Sequence, residues 1–362
     1  MGSAMPASFE IRSAVKSYRV EIGTRLLPRL AGEPAAFILA DERFASLCRD
    51  LGRPVVAIPA RETTKSLDAM SEVVVRLRES GATRDTHLAV IGGGVIQDVG
   101  AFVASIFMRG LSWSYMPTTL LGMADSCIGG KSSINVGKFK NLVGTIHPPD
   151  RVLVDTSFIT SLPAAQRADG LCEAAKICFA RGADDFAAYL AEAPSVDMEP
   201  ESFARIVTLS LSAKKWFIER DEFDKNERLL LNFGHTFGHA LEGASAFAIS
   251  HGAGVGLGIL CAIHLGEALG LDYAALPDVA RLRGHLAMLL RDADRLAAAL
   301  ASVSADEALR FFLNDKKHGS DSLTVILIGE DGVLHRRQLA RNGPSLAQCR
   351  GAFAAVIGEY SQ

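Results

Sequence analysis

The chain has 362 residues, of which 49% are apolar and 22% charged, and its formal net charge is −3. That length suits two domains of ordinary size, and the composition is that of a soluble globular protein. A slightly acidic chain leaves no footprint for nucleic acid, and no apolar run reaches the length of a membrane span, so neither partner is expected.

Six cysteines, Cys48, Cys127, Cys172, Cys178, Cys261 and Cys349, are scattered without a CxxC pair. They read as reduced thiols of a cytoplasmic protein rather than a disulfide frame or zinc ribbon. The opening MGSAMPASFE lacks the basic and apolar regions of a signal peptide, and MGSA before Met5 reads as an appended scar.

In chain order, AAFILAD (35–41) and RPVVAIPA (53–60) read as buried strands. Between them ERFASLCRDLG is helical. In KSLDAMSEVVVRLRESG, Leu67, Met70, Val73, Val74 and Leu77 form one helical stripe. HLAVIGGG runs a strand into three glycines, VIQDVGAFVASIFMRG continues as a helix, and LSWSYMPTT and RVLVD are further strands. Such alternation implies a parallel sheet covered by helices. From about residue 157 helical patterns dominate, at 164–181, 200–220, 229–247, 253–269 and 277–302, interrupted by one strand candidate at 322–329. The fold class expected is α/β: a Rossmann-like nucleotide domain over 1–156, then a mostly helical domain over 157–362, with a cleft between them.

Three segments carry chemistry. AVIGGGVIQDVGAF joins a strand to a helix, where glycines let backbone N–H groups approach a pyrophosphate at the helix N-terminus. It is not GxGxxG, so a tight turn without a ligand is the competing reading. Asp98 is a cap-region acid or a cofactor contact, and Glu62 and Lys65 are helix-start charges when taken alone. The second segment, PTTLLGMADSCIGGKSSINVGKFKNLVG, sets Asp125, Lys131, Lys138, Lys140 and Asn141 among glycines. That composition suits an anionic substrate, against the alternative of a solvated basic loop. Arg109, at a helix end, complements the helix dipole on the plainer reading.

The third segment, LLLNFGHTFGHALEGASAFAISHG, holds His235, His239 and His251. Residues four apart share a helix face, so His235 and His239 point the same way, with Asn232 and Arg228 extending the row. GLCEAAK supplies Glu173, with Lys176 three residues on. Carboxylate and imidazole donors suit zinc with one coordination position left open, and spacing alone makes both His235 and His239 ligands. A lone buried histidine is more often a satisfied core residue; three with an acid are harder to dismiss.

From about Glu62 to Lys317 the chain resembles the dehydroquinate synthase family of sugar phosphate cyclases. The motifs that carry the resemblance are GGGVIQD, FMRG, PTTLLGMADSCIGGKSSIN, GKFKNLVG, GLCEAAK, KKWFIERDEF, RLLLNFGHTFGH, HG and NDKK. The resemblance implies NAD in the first domain and a divalent metal, Zn2+ or Co2+, held by Glu173, His235 and His251. It moves His239 from the metal to the substrate phosphate, beside Lys131, Asn141 and an Arg109 supplied by the partner of a homodimer. Asp125, Lys140 and Lys176 become polar contacts of the substrate hydroxyls, metal and nicotinamide. Lys214, Arg228, Asn232 and Lys316, with Lys317 as its neighbour, hold a substrate carboxylate. Asp41, Glu62, Lys65, Gly93, Gly94, Asp98, Thr118 and Thr119 contact NAD, together with Asp125 and Lys140.

The implied activity converts 3-deoxy-D-arabino-heptulosonate 7-phosphate to 3-dehydroquinate and phosphate. It proceeds by transient oxidation, β-elimination, reduction and intramolecular aldol closure, with NAD regenerated. The protein's task is to clamp a phosphorylated sugar acid at both anionic ends. The related cyclases that take sedoheptulose 7-phosphate, which has no carboxylate, are the alternative; Lys214, Arg228 and Asn232 favour the keto acid. A metal-dependent alcohol dehydrogenase would release NADH, and a non-enzymatic relic would have broken ligands.

The chain departs from the family pattern in four places. Gln97 stands for a glycine, DVGAF for DLAGF, Ala165 for an arginine, and HGAGV (251–255) for HGEAV. An acid behind a ligand histidine orients its ring, so the alanine at 253 bears on metal affinity.

Overall fold

The computed structural model describes residues 7–137, 139–291, 293 and 295–361. Lys138 and the scar read at residues 1–4 lie outside the described residues. The chain divides into two compact units, one of residues 1–162 with 199–222, the other of residues 163–198 with 223–362.

The first unit is built on a seven-stranded sheet. In chain order it comprises β1 (Ala7–Ile11), β2 (Tyr18–Gly23), α1 (Leu27–Leu30), β3 (Ala36–Asp41), α2 (Ala45–Arg49), β4 (Val55–Ile58), α3 (Leu67–Glu79), β5 (His87–Gly92), α4 (Gly94–Ile106), β6 (Ser112–Pro117), β7 (Ile134–Val136), β8 (Phe139–Val143) and β9 (Arg151–Asp155). The sheet order is β1-β2-β9-β6-β5-β3-β4. Only β1 runs antiparallel, to β2; β2, β9, β6, β5, β3 and β4 are parallel neighbours.

Alternation along the strands assigns the two faces. Ile38, Ala40, Ala89 and Ile91 pack with Leu26, Leu30 and Cys48 on one side. Val90 points to the other, where α4 comes so near that a Cβ on Gly100 would lie 2.6 Å from the Val90 methyls. A parallel sheet covered on both faces explains why every residue of β5 is buried. The chain leaves β3 toward β4 on one side and returns to β5 on the other, so the carboxyl ends of β3 and β5 flank a topological switch point. In open α/β sheets, ligands bind at that position.

After β9 come α5 (Ala164–Arg181) and α6 (Ala183–Ala191) of the second unit, then α7 (Pro200–Arg220), which belongs to the first. The second unit resumes with α8 (His235–Ala244), α9 (His251–Ala268), α10 (Pro277–Arg291), α11 (Leu296–Ala301), α12 (Ala305–Phe312), the hairpin β10 (Ser322–Ile328) and β11 (Leu334–Ala340), and α13 (Gly343–Tyr360).

The structure departs from the sequence expectations in five places. The strands β1, β2 and β11 and the β7–β8 hairpin were not anticipated; β11 carries exposed Arg336 and Arg337 at its centre, so no apolar alternation marks it. The helix expected over 229–247 is a 3-10 turn, Glu227–Asn232, followed by α8, because Gly234 between them is left-handed at φ +77°. The helix expected over 277–302 is α10 and α11, with Arg295 left-handed at φ +60° before α11. The helix expected from 253 begins at His251. The segment 199–222, read with the helical half, lies with the sheet unit because α7 holds the chain at 124–125: the Ser210 hydroxyl donates to the Ala124 carbonyl at 2.7 Å and the Lys214 ammonium to the Asp125 carbonyl at 2.7 Å. No helix among the described residues is long and apolar enough to cross a membrane.

Candidate active site

In the first unit, the β5–α4 turn sits at the switch point. Gly93 precedes α4 with no side chain capping the helix, and a Cβ on Gly94 would meet nothing within 4 Å. The helix start is therefore uncapped by any described side chain and has room beside Gly94, as an anion cradle requires. Beside it, the Thr118 hydroxyl is buried and makes no hydrogen bond to the described residues, while Thr119 accepts from the Gly122 N–H at 3.1 Å. Asp41, at the end of β3, is buried and engaged by Arg43, whose Nε lies 2.9 Å from it.

Asp98 is the hub of a polar network. Its carboxylate pairs with the Lys65 ammonium at 2.7 Å and accepts the Ser133 N–H at 2.8 Å. Burial pushes its pKa up to about 6, against the pull of Lys65. Lys65 also donates to the Asn141 side chain at 2.8 Å. The Asn141 N–H donates to Asn135, whose amide donates to Glu62 at 2.8 Å. Asn141 takes the left-handed backbone, φ +53°, which asparagine tolerates better than most residues. Lys140 lies 3.9 Å from Glu62, and Lys131 is exposed at a bridge to Ile146.

Asp125 lies in a wide π-type turn, Gly122–Ser126, of the kind that often marks functional positions. Lys214 reaches its carboxylate at 2.7 Å as well as its carbonyl. Arg109 is exposed, and both it and Met108 are left-handed, at φ +74° and +47°.

In the second unit, α5, α8 and α9 converge. Glu173 on α5 is fully buried, and neither oxygen makes a hydrogen bond of ordinary geometry, although Lys176 lies against one of them. Its Oε1 is 3.3 Å from His251 Nε2 and 3.7 Å from His235 Nε2. Burial alone would raise this carboxyl; the Lys176 ammonium and His251 outweigh it and hold the pKa low. Burial lowers His235, helped by the Lys176 charge. The His239 ring stands 5.3 Å from that of His235 and 5.7 Å from that of His251, and one ligand atom from each of the three lies within 4.8 Å of the others. A buried carboxylate short of hydrogen bonds, facing two imidazole nitrogens, is a donor set that fits a divalent cation.

Arg228 is buried and pairs with Asp224 at 3.0 Å, and Asn232 donates to the Leu229 carbonyl at 3.0 Å. Lys316 is exposed; the charge that bears on His235 and His239 is that of Lys317, which also bonds Asp315 at 2.9 Å. Sequence reasoning ranked Lys316 above Lys317, and passed over Asn135 in the network and Glu242, whose Oε1 is 3.0 Å from His251 Nδ1. Glu242 lies seven residues after His235, on the same helix face, and that spacing was the available signal.

Residues 55–169 match the family described as 3-dehydroquinate synthase N-terminal, and residues 170–318 the one described as 3-dehydroquinate synthase C-terminal. A 3-dehydroquinate synthase of Cereibacter sphaeroides is 34% identical over 342 residues, covering 89% of this chain and 92% of the relative. One from Xylella fastidiosa is 35% identical over 336 residues, covering 86% and 89%. Among solved structures, a 2-deoxy-scyllo-inosose synthase complexed with carbaglucose-6-phosphate, NAD+ and Co2+ superposes with a TM-score of 0.84 at 22% identity, over 96% of this chain and 99% of the other. The 2-epi-5-epi-valiolone synthase of Streptomyces hygroscopicus subsp. jinggangensis, with NAD+ and Zn2+ bound, superposes at 0.79 with 24% identity over the same shares.

Proposed function

We infer the function from one premise: the chain belongs to the 3-dehydroquinate synthase family. It acts as a 3-dehydroquinate synthase, converting 3-deoxy-D-arabino-heptulosonate 7-phosphate to 3-dehydroquinate and phosphate. The observation that carries this reading is the meeting of Glu173 with His235 and His251: a fully buried carboxylate whose oxygen faces two imidazole nitrogens, a donor set that suits a divalent cation.

Bound NAD and a divalent cation, zinc or cobalt, would supply reversible hydride acceptance and a Lewis-acid charge. Glu173, His235 and His251 would hold the cation, and the open turn at Gly93 and Gly94, with Thr118, Thr119, Asp98 and Lys65, the dinucleotide. Asp41, Glu62, Asp125 and Lys140 complete the nucleotide contacts. The chain's remaining work is binding. Lys131, Asn141 and His239 hold the substrate phosphate, with Arg109 reaching it from the partner subunit. Arg228, Asn232, Lys214 and a lysine of the 316–317 pair hold the carboxylate. Lys176 keeps Glu173 ionised and so ready to ligate. Elimination needs no protein base where the departing phosphate removes the neighbouring proton with its own oxygen, so positioning is the chief catalytic contribution.

A cytoplasmic homodimer is part of this proposal. Ile106 and Met108, on either side of Phe107 and next to Arg109, are exposed at 45% each and line a shallow apolar recess with Val74. That face gains by being covered. All six cysteines are free and buried, which suits a reducing compartment.

The test incubates the protein, with NAD and Zn2+ or Co2+, with the keto acid phosphate and separately with sedoheptulose 7-phosphate. Released phosphate, absorbance of NADH and the ring product are measured. Phosphate and 3-dehydroquinate should appear in equal amounts from the keto acid, with no NADH accumulating. Turnover of sedoheptulose 7-phosphate alone would transfer the chain to the carboxylate-free cyclases, and net NADH would make it a dehydrogenase.

A further inference from the structure

His251 has two ring nitrogens, and each meets a carboxylate. Nε2 faces Glu173 at 3.3 Å; Nδ1 faces Glu242 at 3.0 Å. We propose that Glu242 is the positioning residue of this centre: it accepts a hydrogen bond from the Nδ1–H of His251, fixes the ring, and leaves the Nε2 lone pair directed at the cation. The inference rests on the reading of Glu173, His235 and His251 as metal ligands.

An imidazole ligates only through a nitrogen without a proton, so the neutral ring must carry its proton on the other nitrogen. An acceptor held at Nδ1 selects that tautomer, makes the ring a better donor and stops it from rotating. Glu242 is placed to do this. It follows His235 and His239 on one face of α8, and its side chain is only 14% exposed. The facing helix has been cut away to seat it: a Cβ on Gly254 would lie 2.9 Å from Glu242 Oε1 and 3.1 Å from its Cγ.

A second acid fixes the backbone beneath the ring. Asp169 on α5 accepts the Ala253 N–H at 2.9 Å and the Ser250 hydroxyl at 2.6 Å, which ties down the first turn of α9. A Cβ on Gly252 would lie 2.3 Å from the Asp169 Cα, so the two helices meet backbone to backbone there. Asp169 sets where His251 starts and Glu242 sets where its ring points. The buried alanine at 253 thus leaves the ring with a carboxylate partner from a different helix.

The test titrates the full-length apoprotein with Co2+, following visible d–d absorption in competition with a chelator, for wild type, Glu242→Ala, Glu242→Gln and His251→Ala. Glu242→Ala should bind Co2+ about 10–100-fold more weakly. Glu242→Gln, which keeps an acceptor but not the charge, should fall between wild type and Ala, with the apoprotein melting midpoints of both near wild type. Co2+ affinity in Glu242→Ala within about twofold of wild type overturns the proposal, as does a Gln variant no better than Ala. Undiminished Co2+ binding by His251→Ala would instead sink the metal-ligand reading beneath it.

Discussion

Position 97 carries a buried glutamine, and the amide is satisfied there. Its Nε2 donates to the Ser126 carbonyl and its Oε1 accepts the Ser126 hydroxyl, both at 2.6 Å, so it ties α4 to the turn that holds Asp125. Other buried polar side chains make the fold sensitive to acid. His87 meets the Ser114 hydroxyl at 2.8 Å, and His285 meets that of Tyr189 at 2.8 Å. Burial penalises their charged forms and lowers each pKa to about 4 from 6.5. Between those values the unfolded chain binds protons that the folded chain refuses, so stability is full above 6.5 and lost as pH falls toward 4. Each histidine withdraws on the order of 3 kcal/mol across that window. Thermal unfolding from pH 7 to 4.5 should show a falling midpoint, and a shallower fall in His285→Gln, which keeps a partner for Tyr189 and cannot charge. An unchanged slope in that variant would remove His285 as a cause.

At the scale of elements, the centre depends on how closely α8 and α9 approach. A Cβ on Gly258 would lie 2.0 Å from the Gly234 carbonyl oxygen, and one on Gly238 2.5 Å from that of Gly254. Backbone meets backbone, and this brings the ring of His251 within 5.3 Å of that of His235. Gly258→Ala should therefore cost about 1–3 kcal/mol through overpacking, and weaken Co2+ binding as the two histidines separate. Gly284 in α10 is the control: a Cβ there meets nothing within 4 Å, so Gly284→Ala should gain up to about 1 kcal/mol from helix propensity and leave Co2+ affinity alone. Calorimetry and metal titration of both variants measure the contrast. Equal behaviour would refute the packing argument.

At the scale of the whole molecule, the sheet unit is discontinuous in the chain. A fragment ending at Leu162 lacks α7, and with it the Lys214 and Ser210 bonds that hold residues 124–125. It should show no cooperative thermal transition by circular dichroism, whereas the full chain should; a sharp melt from the fragment would show that α7 is dispensable.

Most strands of the large sheet were legible because they are buried runs bounded by turn residues, and α5 and α7 because apolar residues recur with helical spacing. The edge strand β1 and the basic β11 were not, since an exposed strand has no apolar pattern to read. The site divides the same way. The triplet of histidines, the glycine turn and the lysine-rich loop stand together locally, and as motifs they identified the family. The sequence by itself therefore determined the chemistry available: which donors, cations and glycines the chain owns, and which helix faces they share. Only the tertiary structure decided which of them meet. That Glu173 faces His251 rather than solvent, that Glu242 rather than a neighbour in sequence backs the ring, and that α7 rejoins the sheet all follow from packing between distant segments. Periodicity along a chain gives the direction of a side chain from its own element, and carries no information about which other element will close over it.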